Sequence, residues 1–270
     1  MSWEPLARRS RRTGLPTGMA WLGVAAMALL ILPLVGLLVR TPWTRIGALM
    51  ADPTVRSALR LSLVTSLSAL AVSTLLGVPL AWLLARRDFP AKALLRALCV
   101  LPMVLPPVVG GVALLLAFGR RGLIGQPLDQ LTGVTLPFTP AGVVLAETFV
   151  AMPFLIVTVE AGLRSMDRRY EDVAATLGAS RWMSFRRVTL PLLGPSLGAG
   201  MALCWARALG EFGATITFAG NLSGRTQTMP LAVYLQLERD VDAAILLSLI
   251  LLAVSVIVLV ALRGHYLDTG

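Results

Sequence analysis

An all-α integral membrane protein with six transmembrane helices is the fold the sequence predicts, and three observations predict it. Of 270 residues, 56% are hydrophobic and 14% charged, against about 45–50% and about 25% in soluble domains. Mean hydropathy is +0.79. The apolar residues fall in blocks of about 20, the length of helix that crosses roughly 30 Å of hydrocarbon. Lipid offers no partner for a backbone amide, so each block must satisfy its own hydrogen bonds as a helix.

The blocks occupy residues 19–39, 58–85, 94–118, 141–163, 190 to past 208, and 243–262. Prolines inside them (Pro33, Pro79, Pro106, Pro107, Pro153 and Pro195) predict kinks rather than breaks, because neighbouring helices can satisfy the freed carbonyls. The first block follows Arg8-Arg9-Ser10-Arg11-Arg12. It is too long for the apolar region of a signal peptide, so an uncleaved span is expected. With the N-terminus in the cytoplasm, 15 of the 24 Lys and Arg face that side, 8 face the other, and Arg207 lies in the membrane. The positive-inside bias then puts both termini in the cytoplasm. No internal repeat is evident, which argues against a secondary transporter built from repeats.

Composition excludes several chemistries. One histidine, His265, and two cysteines, Cys99 and Cys204, cannot form a zinc finger or a disulfide framework. No metal site is expected. The net charge of +10 sits mainly beside the apolar blocks, so it reads as bilayer orientation rather than nucleic-acid binding. A phosphate-cradling loop needs a Gly-rich turn ending in Lys-Ser or Lys-Thr. The only lysine, Lys92, follows Asp88-Phe89-Pro90-Ala91 and precedes alanine. The chain is therefore expected to have no ATPase site and no cofactor of its own, and energy must enter from another subunit.

The connection between the fourth and fifth blocks is where it would enter. Asp167 can cap a helix over 168–177, with Glu171 and Asp172 near its positive end. Val173 and Leu177 share a face at i, i+4. Gly178 supplies a left-handed stop, and Ser180 can cap a second helix over 181–188. Thr189-Leu190-Pro191 is expected to turn the chain back into the membrane. Two short helices flat on the surface make a lever.

These residues resemble a known loop. Asp172-Val173-Ala174, three residues, Gly178, nine residues, Val188-Thr189-Leu190-Pro191 is similar to the EAA loop of ABC-importer permeases, which reads Glu-Ala-Ala, three residues, Gly, nine residues, Ile, one residue, Leu-Pro. Asp replaces Glu, Val the first Ala, and Val Ile. The stretch Ala206-Arg207-Ala208-Leu209-Gly210-Glu211-Phe212-Gly213-Ala214-Thr215-Ile216-Thr217-Phe218-Ala219-Gly220-Asn221 resembles one shared by molybdate and sulfate permeases. Phe212, Thr215-Ile216-Thr217 and Thr226-Gln227-Thr228-Met229-Pro230-Leu231 look more like the molybdate members. The resemblance implies a type I ABC importer permease fold over 57–262, flanked by 1–56 and a tail 263–270. It implies a coupling helix docked in an ATPase groove, with ATP and Mg on that partner. It also implies two permease copies, two ATPase copies and an external oxyanion-binding protein, in a prokaryotic cytoplasmic membrane. The cargo expected is molybdate, with tungstate beside it and sulfate or thiosulfate as the near alternative. A stand-alone carrier would need a coupling-ion site, and no chain of midplane acids is present.

Charges inside the membrane are costly unless paired, which singles out Glu147, Glu160, Arg207 and Glu211. Arg207 lies 17 residues past Leu190, about 25 Å along a helix, and Glu147 about 9 Å below the same outer face. Arg207 can thus reach Glu211 at i+4 or Glu147 on another helix. It serves either to fix packing or to attract an oxyanion, and packing is favoured. Glu160 is expected to snorkel to the cytoplasmic surface. Ser62, Ser66 and Ser73 share a face of the second block; such hydroxyls suit either an oxyanion path or close helix packing. Thr215, Thr217 and Asn221 are the better path candidates, because Gly210 and Gly213 can unwind the helix and bare backbone N–H groups.

Overall fold

A computed structural model describes residues 17–263. The basic cluster Arg8 to Arg12, His265 and the tail after Arg263 lie outside the described residues. All regular structure among the described residues is helical. The chain divides into two units, one ending at Thr41 and the other beginning at Pro42. The first contains α1 (Thr17–Arg40), which runs through Pro33 without interruption and carries its apolar side chains exposed, as a helix bathed in lipid does.

The second unit opens with a 3-10 turn, Trp43–Arg45, and a short helix α2 (Ile46–Ala51). Asp52 then caps α3 (Pro53–Arg86) by accepting from the Thr54 N–H at 2.7 Å, with Pro53 at the first helical position. At 34 residues α3 is about 51 Å long, well beyond the hydrocarbon thickness. The third block is not a single span. It forms α4 (Lys92–Val104) and α5 (Pro107–Phe118), bent by 119°. The expectation of a mere kink fails here because two prolines are adjacent. Pro107 forces Pro106 out of the helical region (ψ 131°), Pro106 does the same to Leu105 (ψ 135°), and neither ring nitrogen can donate. Isolated Pro79, Pro153 and Pro195 do sit inside continuous helices.

A short helix α6 (Gly125–Thr132) precedes α7 (Pro140–Ser165), and α8 (Arg169–Thr176) and α9 (Arg181–Ser184) follow it. The chain goes on through α10 (Leu190–Leu209), α11 (Gly213–Phe218), α12 (Met229–Arg239) and α13 (Val241–Arg263). Four helices among the described residues are long and apolar enough to cross a membrane, or five if the bent pair counts as one span. The last helix, α13, is apolar too, but its described apolar stretch, Val241–Ile257, is shorter than these.

The core is a trio of α3, α7 and α10. Small residues on the facing sides (Ala69 and Ala81 of α3, Ala151 of α7, Ala208 of α10) are fully buried beside Leu155, Ile156 and Leu163. Without a hydrophobic drive inside lipid, such side chains stabilise packing by allowing backbones to approach. Elsewhere Arg45 clasps the α12–α13 junction, 2.7 Å from Asp240 and 3.1 Å from Asp242. Its guanidinium holds the Asp240 carboxyl below the usual carboxylate range. Whatever stability this contact adds is therefore complete above that range and lost only as pH falls through the lowered value. All three groups are solvent-exposed, where ion pairs contribute little. Asp240→Asn is expected to leave thermal unfolding of the purified permease unchanged at neutral pH; a clear drop in Tm would overturn that.

Candidate coupling loop and transmembrane site

The loop after α7 is assembled from local caps. The Asp167 carboxylate accepts from the Arg169 N–H at 2.9 Å, starting α8. Its end is a Schellman closure: the Gly178 N–H donates to the Ala175 carbonyl and the Ala179 N–H to Ala174, both at 3.0 Å. Gly178 has φ +82°, with nothing within 4 Å of where a Cβ would stand, so backbone conformation alone demands glycine there. Ser180 Oγ accepts from the Met183 N–H at 3.2 Å and starts α9.

The expected turn at Thr189-Leu190-Pro191 is absent. Instead α9 runs through a π-helical stretch, Phe185–Thr189, straight into α10, so one continuous rod spans Arg181–Leu209. Pro191 directly follows this wider π turn, in which the Leu190 N–H reaches back five residues to the Phe185 carbonyl, so its ring meets a register already shifted from the α-helical one. No residue of α8 or α9 is buried. Asp172 and Val173 are exposed and Ala174 half-buried. Leu177 is 82% exposed and Trp182 68%; Val188 and Leu190 are half-buried where the rod enters the bundle.

One side chain ties α8 inward. Glu171 Oε1 accepts from Arg86 Nη2 at the end of α3 and from Thr189 Oγ1, both at 3.0 Å. A cleft of about 450 Å³ opens beside it, lined by Trp82, Arg86, Arg181 and Phe185 among others. Sequence reasoning used Glu171 only as a charge at a helix end. The signal for its partner was weak: Arg86 looked like one more basic residue closing an apolar block.

A second polar cluster lies where α10 stops. The helix ends at Leu209 and restarts at Gly213, so Gly210 and Gly213 do bracket an interruption. Arg207 Nη1 lies 2.5 Å from Glu211 Oε2, while Glu211 Oε1 accepts from the Ala214 N–H at 2.8 Å. One carboxylate thus pairs a guanidinium and caps α11. Glu147 does not meet Arg207. Its Oε1 accepts from Thr65 Oγ1 at 2.9 Å, and no ion pair to it occurs among the described residues. The i+4 partner prevails because it shares Arg207's own backbone. Glu160 does not snorkel: it is 6% exposed and bridges Arg96 of α4 and Arg164 of α7, since two arginines within reach make burial tolerable.

The hydroxyl candidates separate. Ser62 Oγ accepts from the Met229 N–H at 2.7 Å and Ser66 Oγ from Trp205 Nε1 at 2.9 Å; both are buried and engaged within the fold. Thr217 donates to the Gly213 carbonyl at 2.8 Å. Thr215 is fully buried, with a hydroxyl that has no partner, and Asn221 keeps a buried Oδ1 likewise unpartnered. Gly111 of α5 lets this region close up, for a Cβ there would stand 3.0 Å from the Ala214 carbonyl and against Thr217.

Apolar helices round a small-residue core, a helix interrupted beside unpartnered buried polar atoms, and an exposed elbow formed by α8 and α9 describe a helical membrane protein. The chain belongs to the family of binding-protein-dependent transport system inner membrane components, whose model matches residues 77–268. It is 46% identical over 253 residues to a molybdenum transport system permease protein of Mycobacterium tuberculosis, covering 94% of this chain and 96% of that one. The corresponding Escherichia coli protein is 45% identical over 186 residues, covering 69% and 81%. A sulfate transport system permease protein of E. coli is 36% identical over 239 residues, covering 87% and 86%. In fold, the chain matches a bacterial alginate ABC transporter solved in complex with an alginate pentasaccharide-bound periplasmic protein (TM-score 0.70, 17% identity, covering 92% and 93%). It is thus an integral membrane permease subunit of an ABC importer.

Proposed function

We propose that this chain is the gate through which molybdate crosses the cytoplasmic membrane. The observation that carries the cargo is the 46% identity to molybdenum permeases across nearly the whole chain, against 36% to a sulfate permease. Two copies pair around the path, with residues 57–262 as the permease core and both termini in the cytoplasm. An ATPase subunit receives the elbow of α8 and α9. Leu177 and Trp182 stand bare there, and water-exposed apolar side chains of this size read as a surface awaiting a partner. ATP and Mg belong to that subunit. A binding protein loaded with oxyanion docks on the opposite face.

The cycle is alternating access. Closure of the ATPases pushes the elbows, the helices rotate, and a cavity opens outward beneath the binding protein; hydrolysis resets the inward-facing form. Thr215, Thr217 and Asn221 line the path near the α10–α11 break, where weak hydroxyl and amide contacts pass an oxyanion on without trapping it. Ser62 and Ser66 brace α3 against Met229 and Trp205 beside it.

Uptake of labelled molybdate in a permease-null strain tests the cargo. Uptake restored by this chain, and little affected by excess sulfate, is the expected result. Equal competition by sulfate would favour the sulfate reading.

A further inference from the structure

We propose that Glu171 is the positioning residue through which movement of the elbow reaches α3. The inference rests on the reading that α8 and α9 receive the ATPase. None of the residues of α8 is buried, so little apolar packing holds it in place. Its covalent ends lead to α7 and, through α9, to α10; α3 has no such connection. Among the described residues, Glu171 is the one side chain of α8 and α9 that hydrogen-bonds outside the elbow, and both of its bonds converge on Oε1. One comes from Arg86 Nη2; that side chain is 7% exposed and its Nε has no partner. The other comes from Thr189, which is 2% exposed and closes the π-helical stretch. Single-turn π segments inside helices are frequent at functional sites and are places where helices bend, and Glu171 holds the last residue of this one.

The three groups therefore form a clasp at the end of the π-helical stretch, joining α8, α3 and the start of α10. With the clasp closed, a push on α8 displaces α3 and α10 together, and the cleft of about 450 Å³ beside Arg86 and Phe185 leaves room for that motion. With it open, α8 can swing on its ends while α3 stays put. ATP would then be hydrolysed without moving the helix that forms one side of the core.

The test uses the whole complex in liposomes, with a molybdate-loaded binding protein on one side. In Glu171→Ala the ATPase subunit should still co-purify. Stimulation of ATP hydrolysis by the loaded binding protein should fall about tenfold, within the usual span of coupling effects, and molybdate uptake should fall with it. Arg86→Gln should do the same, and the double variant should be no worse than either alone, as expected for one shared interaction. Normal stimulation in Glu171→Ala overturns the clasp. If that variant fails to assemble, Thr189→Val decides: reduced stimulation of ATP hydrolysis supports the clasp, and unchanged stimulation overturns it. Failure of the wild-type ATPase to bind the elbow would instead refute the docking reading on which the clasp stands.

Discussion

Glu211→Ala is expected to lower both the amount of folded permease in the membrane and its uptake of molybdate, and to do so more than any other single change considered for this chain. Glu211 is 1% exposed and serves Arg207 and the Ala214 N–H at once. Truncation leaves the guanidinium unpaired in an apolar block and uncaps α11. Breaking a buried pair from one side costs about 3–5 kcal/mol. The side chain of Arg207 is 28% exposed, so the lower end, about 3 kcal/mol, is the expectation. Glu211→Gln keeps an acceptor for Ala214 and should fall between. The double variant Arg207→Leu, Glu211→Gln separates packing from cargo binding, because removing both charges should restore the folded amount. Recovery of uptake as well would assign Arg207 to packing alone; recovery of protein without uptake would place it on the oxyanion path. A fully assembled, normally active Glu211→Ala permease would sink the account of this cluster.

The second large effect belongs to Gly178. At φ +82°, with open space around it, any loss on substitution comes from the backbone and not from a clash. A side chain in the left-handed region costs roughly 1–2 kcal/mol, and a β-branched one more. Gly178→Val should therefore undo the Schellman closure and change the angle between α8 and α9. ATPase association should fall about 5- to 30-fold for that energy, and uptake with it. Gly178→Asn should lose less, because asparagine tolerates this conformation. Co-purification of the ATPase from membranes reads the outcome, and undiminished association of the Val variant would show that the elbow's angle is not what the ATPase recognises.

Much of this was legible without coordinates where a short stretch of chain supplies both halves of an interaction. Asp167 with Arg169, Gly178 with Ala175, and Ser180 with Met183 are all within three residues of one another. The pair of Arg207 and Glu211 was legible as one of two choices, and local geometry made the choice. Reading failed where neighbouring effects compound. Adjacent Pro106 and Pro107 together broke a helix that either alone would have bent. Thr189-Leu190-Pro191 looked like a turn because proline usually stops helices, yet here it follows a π-helical stretch and the helix runs on through it.

The amino-acid order by itself determined that this protein lives in a membrane and which caps start and stop the short helices after α7. Those properties depend on hydropathy and on bonds between residues a few positions apart. Only the folded chain decided that Glu160 is buried between arginines, that Ser62 and Ser66 brace helices, and that Glu171 ties the elbow to α3. These pairings join residues 64, 167, 139 and 85 positions apart. A contact across that much chain exists only once packing has brought the helices together, because no local rule of spacing or propensity reaches so far.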